Sequence, residues 1–232
     1  MNRIDCLVIH DLDLGHFNAH QIEHHLAQLT TGGWRALETL KCQGEIKAYG
    51  AGVNHIGTMS QYLDIMELDF FLVSQIYSLM HHGNTATFGV PTMDIEYPGQ
   101  KNLNDHEGGA LAEFERVKQR GMGVIAATVY NSGLMINGAT ENAICNYRAA
   151  TPREIERVSA IQTVCAEHEV PLPAAALQFP LAHPVVTSMV VGFSKPEEAE
   201  KALDWLDHSI PAAFWKDLQT KGLIDPNAPI PN

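Results

Sequence analysis

Short apolar runs alternate along the chain with longer segments in which apolar residues recur every three or four positions. The short runs predict five buried strands, at 4–9, 46–53, 70–76, 124–129 and 186–191. The longer segments predict helices at 34–43, 60–66, 110–119, 195–206 and 212–221, with a further helix that begins at Thr151. Strands that alternate with helices indicate parallel βα units and an α/β fold.

Two of the predicted helices have clear start signals. Thr151, Pro152 and Glu154 match a capping box with proline at the first helical position. Ser194 and Glu197 have the same Ser-x-x-Glu spacing and predict a second capping box. Both helices should therefore begin at these residues.

The alternating pattern leaves two architectures open. One is an open, doubly wound sheet, and the other is an arc of a (β/α)8 TIM barrel, whose functional residues lie at the carboxyl ends of the strands. No G-x-G-x-x-G motif follows a predicted strand, which weakens the dinucleotide-binding form of the open sheet. Periodicity alone does not choose between them.

Composition limits the partners. The 232 residues carry a formal net charge of −12, which disfavours nucleic acid because phosphate binding needs a surplus of lysine and arginine. No run of 18 apolar residues predicts a membrane span, and no signal-peptide pattern is recognisable, so we expect one cytoplasmic domain over 1–232. The cysteines form no CxxC pair and are predicted to be reduced, buried thiols: Cys6, Cys42, Cys145 and Cys165.

A segment from about 81 to 109, rich in Gly, Asn, Asp and Pro, reads as a long inserted loop. Loops of this length inside a compact domain are usually functional or disordered, and its acids at 94–107 indicate a solvated loop rather than a calcium site. Histidines also cluster after the first strand, but no cysteine or carboxylate is spaced to complete a metal site. We therefore predict no metal at these histidines: His16, His20, His24 and His25.

Several segments resemble the aldo-keto reductase family. Residues 3–11 resemble its fourth barrel strand, 44–54 its fifth strand, and 131–134 the loop after its seventh strand. Most specific are 170–184 and 190–192, which are very similar to the subfamily of D-threo-aldose 1-dehydrogenase, L-fucose dehydrogenase and pyridoxal 4-dehydrogenase. The resemblance covers nearly the whole chain and implies a TIM barrel of which only strands 4 to 8 are present, with the early βα units missing.

The same resemblance implies roles for four strand-end residues. His10 would be the catalytic residue that orients the oxygen of the substrate. Asn54 and Gln75 would bind the carboxamide of the nicotinamide, because an amide side chain both donates and accepts hydrogen bonds. Tyr130 would stack its ring on the nicotinamide.

Two loops would bind the phosphates of the cofactor. One offers backbone N–H groups and a glycine that permits close approach, and the other lies at the N-terminus of a helix, where the dipole favours anions. The residues are Ser132, Gly133 and Leu134 in the first loop, and Gly192, Ser194 and Lys195 in the second.

Glu198 predicts the choice of cofactor. It occupies the position at which family members that prefer NADP have a basic residue, as the resemblance aligns them. A carboxylate there would repel a 2′-phosphate and accept a hydrogen bond from a free 2′-hydroxyl. The prediction is NAD, with NADP as the alternative.

The implied reaction is hydride transfer between the nicotinamide and a carbonyl or lactol carbon of a sugar or aldehyde substrate, with a Tyr beside a Lys exchanging the proton. The family's Asp, Tyr and Lys come from the early βα units, so His10 alone of the four has a counterpart here. We therefore predict an NAD(P)-dependent oxidoreductase whose open sheet edges favour a homo-oligomer. The alternative is a truncated, non-catalytic remnant that retains part of a nucleotide-binding or structural role.

Overall fold

A computed structural model describes residues 3–13, 17–83 and 109–232. Five parallel strands form one sheet: β1 (Cys6–His10), β2 (Ala48–Val53), β3 (Phe70–Ser74), β4 (Gly123–Ala127) and β7 (Val186–Val190), in the order β1-β2-β3-β4-β7. A two-stranded antiparallel ribbon consists of β5 (Ile144–Cys145) and β6 (Arg148–Ala149). The five sheet strands are those that the sequence predicts, whereas His16 and most of the predicted 81–109 loop lie outside the described residues.

Helices connect these strands. A first helical segment runs from α1 (Ala19–Gln28) through a π turn (Leu29–Gly33) into α2 (Trp34–Cys42). The others are α3 (Ile56–Ile65), α4 (Gly109–Gln119), α5 (Leu134–Asn137), α6 (Pro152–Glu167), α7 (Leu172–Leu181), α8 (Pro196–Leu206) and α9 (Ala212–Thr220). The sequence pattern missed α1, α5 and α7, and also the ribbon of β5 and β6. No helix in the described ranges is long and apolar enough to cross a membrane.

The strand order chooses between the two predicted architectures. A doubly wound sheet reverses its order at a switch point, whereas the described strands follow one another across the sheet in chain order. Because parallel crossovers are right-handed, this order places the connecting helices on the same face. The sheet is therefore singly wound, as in an arc of a barrel, and the doubly wound alternative is wrong.

The two faces of the sheet differ in burial. Tyr49, Phe71, Val73 and Val124 point towards the helices and are fully buried. On the other face, β1 exposes alternate residues and β7 is exposed along most of its length, with Val190 51% exposed. The prediction of five buried strands is therefore wrong for β1 and β7, which are the two edges of the sheet and are covered on one face by the described residues.

The cysteines also differ from the prediction. All four are free, but Cys6 and Cys42 are exposed, and only Cys145 and Cys165 are buried. Cys6 lies on the uncovered face of the edge strand β1, which explains its exposure.

Most of the motif at 170–184 forms the helix α7. This helix is apolar on all sides and packs between β7 and α8, so it lacks the periodic pattern that identifies surface helices. Gln178 is its polar exception: its Nε2 donates to the carbonyl oxygens of Trp205, Leu206 and His208 at 2.7–3.2 Å. Gln178 therefore satisfies carbonyl groups at the C-terminus of α8.

The predicted capping boxes have different outcomes. Thr151 is the N-cap of α6, and Glu154 closes the capping box, as predicted. The box at Ser194 and Glu197 is not formed, because α8 begins at Pro196 with Lys195 as its N-cap and without a side-chain cap. The N–H of Ser194 instead donates to Glu198, one residue further along the helix, at 2.7 Å.

Gly50 is where the sheet tolerates no side chain. A Cβ atom at Gly50 would lie 2.8 Å from ring atoms of Phe70 and also overlap its backbone oxygen. We expect Gly50→Ala to lower the free energy of unfolding by about 2 kcal/mol, as overpacking does. Gly52→Ala is the matched control, because its Cβ atom would meet Val8 at an ordinary 3.4 Å. Urea denaturation with equal losses for the two variants would contradict the packing argument.

We expect His183 to make the free energy of unfolding depend on pH. Its ring packs edge-on against Tyr77 and Phe114, and burial lowers its pKa to about 4 from 6.5. The unfolded chain binds this proton below about pH 6.5 and the native chain only near pH 4, so stability falls as the pH drops between these values. In urea denaturation, His183→Gln should flatten this dependence, whereas His20→Gln, at an exposed position, should not. An unchanged slope in His183→Gln would contradict the assignment.

Candidate functional site at the carboxyl edge of the sheet

The carboxyl edge of the sheet carries strained backbone. Asp11, Gln75 and Thr128 directly follow β1, β3 and β4, and all three have positive φ angles, of 47°, 62° and 60°. Such conformations cost non-glycine residues about 1 kcal/mol or more each and concentrate at functional sites. This is also the edge at which parallel α/β folds bind ligands.

A chain of polar contacts joins the ends of β1 and β2. The side chain of His10 is 84% exposed, and its Nε2 lies 3.4 Å from a carboxylate oxygen of Asp11. The other oxygen of Asp11 accepts a hydrogen bond from Nδ2 of Asn54 at 3.0 Å. The structure therefore brings together His10 and Asn54, two of the predicted site residues, with Asp11 between them.

Asp13 is a buried residue next to these polar contacts, and the sequence analysis did not predict it. It is 0% exposed and accepts hydrogen bonds from the backbone N–H of Asn54 at 2.6 Å and from Nδ2 of Asn54 at 3.2 Å. Its other oxygen accepts from Thr58 at 2.7 Å and contacts Nδ1 of His55 at 3.1 Å.

Asp13 also lies at the start of α3, which begins earlier than predicted. His55, the N-cap of this helix, provides no side-chain cap, and the carboxylate of Asp13 accepts a hydrogen bond from the hydroxyl of Thr58 in the first turn. A helix N-terminus favours such a charge. The only sequence signal was the run of acids in His10-Asp11-Leu12-Asp13.

The next two strand ends carry Gln75 and Tyr130. Gln75 is half-buried beside Ser74, whose hydroxyl is 2.8 Å from that of Thr128 on β4. Tyr130 is buried, its ring lies edge-on to Trp205, and burial raises its pKa to about 12. Its hydroxyl has no hydrogen-bond partner among the described residues. The predicted roles of Gln75 and Tyr130 stay predictions.

The loop after β4 forms a tight turn that opens α5. Ser132 and Gly133 have positive φ angles of 55° and 95°. The N–H of Gly133 donates to the carbonyl of Tyr130, and that of Leu134 donates to Asn131, so two of the three predicted phosphate donors already have partners. The hydroxyl of Ser132 accepts from the N–H of Tyr147 at 2.9 Å.

The loop after β7 is open to solvent. Gly192, Ser194 and Lys195 are exposed, and a Cβ atom at Gly192 would meet nothing within 4 Å. Glu198 accepts the hydrogen bond from the N–H of Ser194, so its carboxylate occupies the start of the helix, where a phosphate is predicted. An incoming phosphate would have to displace it.

A second buried polar cluster has the residue types of a metal site. Ligand atoms of His81, Cys145 and Glu154 lie within 4.8 Å of one another, and all three residues are buried. However, Arg148 donates to both carboxylate oxygens of Glu154, at 2.8 and 3.0 Å, and holds the pKa of this carboxyl at about 2 against the effect of burial. A guanidinium in this position repels a cation, so we interpret the cluster as structural.

A pocket of about 700 Å³ opens at the opposite edge of the sheet, between α2, α3 and the starts of β3 and β4. Tyr49, Lys41 and Asp69 meet there, which are the residue types of an acid–base site. Burial and a hydrogen bond to Glu38 raise the pKa of Tyr49 well above its usual value, however, so its hydroxyl is a poor proton donor. The network therefore fastens α2 to the sheet.

The fold and the polar residues at its carboxyl edge define a singly wound parallel α/β protein. The sequence profile of the aldo/keto reductase family matches residues 1–222. The chain belongs to this family, which confirms the predicted resemblance.

Two curated relatives agree with this assignment. The chain is 32% identical over 222 residues to a pyridoxal 4-dehydrogenase from Microbacterium luteolum. It is 29% identical over 225 residues to a D-threo-aldose 1-dehydrogenase from a Pseudomonas species. These alignments cover 95% and 97% of the chain but 57% and 58% of the relatives, so the chain spans less than two thirds of their length.

Solved structures show the same fold. An aldo-keto reductase from Bacillus halodurans in its apo form superposes with a TM-score of 0.62 at 16% identity, and its holo form superposes with a TM-score of 0.60. Each superposition covers 97% of the chain and 63% or 62% of the solved protein.

The structural interpretation of Glu154 makes a prediction. The carboxylate of Glu154 pairs with Arg148 and closes the capping box of α6. Because Glu154→Gln removes this charge, we expect a loss of about 3 kcal/mol in the free energy of unfolding. Glu156→Gln, exposed on the same helix, should change it by less than about 0.5 kcal/mol. Urea denaturation should give the same wild-type value with and without a chelator. A chelator-dependent value would support a metal site instead.

Proposed function

We propose that this chain forms the cofactor-binding part of an NAD(P)-dependent oxidoreductase that acts on the carbonyl or lactol carbon of a sugar or similar small molecule. The observation that carries the proposal is the linked group of His10, Asp11 and Asn54 at the carboxyl edge of the sheet. The relatives named as pyridoxal 4-dehydrogenase and D-threo-aldose 1-dehydrogenase support the reaction class.

In this proposal β1 to β4 and β7 correspond to strands 4 to 8 of the family's barrel. The sequential strand order and the uncovered face of the sheet support this correspondence. That face is where the interior of a closed barrel would lie.

His10 is proposed to orient the oxygen of the substrate. Its imidazole is exposed on the uncovered face, within reach of a small molecule, and Asp11 lies beside Nε2. An imidazole N–H group is a hydrogen-bond donor and can donate to the substrate oxygen.

The residues at the strand ends fit a nicotinamide cofactor, which supplies the hydride when bound. Asn54 is half-buried and held from beneath by Asp13, so its amide is ordered before any ligand arrives. Gln75 provides a second amide one strand further along the edge. The turn at Ser132–Leu134 and the exposed loop at Gly192–Lys195 are the proposed phosphate contacts.

Glu198 is proposed to favour NAD over NADP. Its carboxylate is exposed at the start of α8, next to the loop proposed to bind phosphate. A negative charge in this position repels a ribose 2′-phosphate more strongly than a free hydroxyl.

A second candidate function is binding without catalysis. The observation that favours it concerns the tyrosines: Tyr49, Tyr62, Tyr77 and Tyr130 all have pKa values raised by burial. A tyrosine that exchanges a proton during hydride transfer needs a lowered pKa. These four of the six tyrosines in the chain do not meet that requirement, which supports the expectation that the 232-residue chain on its own binds the cofactor with little or no turnover.

Titration with reduced cofactors tests the proposal. We expect NADH to bind more tightly than NADPH, as measured by the change in fluorescence of the reduced dinucleotide. Asn54→Ala should weaken NADH binding by about tenfold, which is the effect of one lost hydrogen bond. Asn142→Ala, at an exposed asparagine that is not among the proposed site residues, should bind as wild type does. Failure of both cofactors to bind would refute the proposal.

Two further measurements separate its parts. Glu198→Arg should shift the affinity ratio towards NADPH, and an unchanged ratio would show that Glu198 does not contact the ribose. An assay of aldose and pyridoxal oxidation by the purified chain should give no turnover above background. Robust turnover would exclude the binding-only function and show that the chain contains an acid–base group.

A further inference from the structure

We infer that Asp11 and Asp13 are positioning residues that turn the amide of Asn54 so that its oxygen, and not its nitrogen, faces the ligand site. The site would then recognise a hydrogen-bond donor on the ring substituent of the nicotinamide. This inference rests on the proposed function, because it concerns how the proposed cofactor is read.

The orientation follows from the chemistry of the two carboxylates. Nδ2 of Asn54 lies 3.0 Å from Asp11 and 3.2 Å from Asp13. Ionised carboxylates only accept hydrogen bonds, so the group of Asn54 that faces them must be the NH2 group. The reverse orientation would place the amide oxygen against two negative charges.

Asp13 also fixes the backbone that carries this amide. Its carboxylate is fully buried and accepts from the backbone N–H of Asn54 at 2.6 Å, and the hydroxyl of Thr58 secures its other oxygen. A rotation of the Asn54 amide would therefore break both contacts of its Nδ2, while the backbone hydrogen bond to Asp13 keeps the residue in place. Pre-organisation of this kind keeps one orientation available to the ligand.

The oxygen of Asn54 remains as an acceptor. No residue in the described ranges donates a hydrogen bond to Oδ1 of Asn54, and the residue is half-buried at the edge of the sheet. A ring carboxamide offers an N–H to this oxygen, whereas a methyl ketone in the same place offers none. A ring carboxylate would in addition be repelled by Asp11 and Asp13.

Hydrogen exchange tests the orientation without any ligand. In 15N-labelled protein, the side-chain NH2 of Asn54 should exchange with solvent at least tenfold more slowly than that of exposed Asn142, because both of its protons are bonded. Asp11→Asn and Asp13→Asn should each reduce this protection. Equal exchange rates of Asn54 and Asn142 in the wild type would overturn the orientation.

Binding tests the recognition. Wild-type protein should bind NADH about tenfold more tightly than reduced 3-acetylpyridine adenine dinucleotide, since one hydrogen bond is lost. Asp13→Asn should bring the ratio close to one, because an asparagine there can donate to Asn54 and let its amide turn. Glu45→Gln, exposed at the opposite edge, should keep the wild-type ratio.

Asp11→Asn provides the same comparison if Asp13→Asn does not fold, because Asp11 is partly exposed and asparagine tolerates its positive φ angle. An unchanged ratio in Asp11→Asn, with both dinucleotides bound, would overturn the recognition. If neither dinucleotide binds to the wild type, the proposed function fails and the recognition fails with it. The exchange rates still decide the orientation of Asn54.

Discussion

The structure depends on a buried carboxylate that joins the first two strands to the helix after them. Asp13 has no exposure to solvent, and its charge is satisfied by groups from residues 54–58, more than 40 positions away. A buried charge that lost these partners would be strongly destabilising, so the ends of β1 and β2 and the start of α3 form one unit. The strand ends at which the ligand is proposed to bind are therefore held together by these contacts.

The polar residues at the two edges of the sheet differ in their surroundings. At the amino edge, Tyr49, Lys41 and Asp69 form a network whose phenol is held protonated, so the residues serve to attach a helix. At the carboxyl edge, Asn54 is hydrogen-bonded to the buried Asp13, and the side chain of His10 is exposed to solvent. Similar residue types thus have different functions, because burial and charge differ at the two places.

Sequence patterns predicted the elements that depend on residues close together along the chain. The five sheet strands and the capping box at Thr151 follow from local periodicity and spacing. Helix α7 was missed because its apolar residues surround it completely, and α1 was missed because polar residues dominate it. Asp13 was beyond reach because its role depends on contacts that only the folded chain creates. The same limit explains the absent capping box at Ser194, where Glu198 competes for the N–H group.

Chemical-shift mapping of 15N-labelled protein during titration with NADH tests whether a nicotinamide dinucleotide binds at the carboxyl edge of the sheet, because it locates the bound ligand. We expect the largest changes at Asn54, Gln75 and residues 132–134, with little change around Tyr49 and Lys41. Changes concentrated in the pocket at the opposite edge, or none at the strand ends, would contradict it.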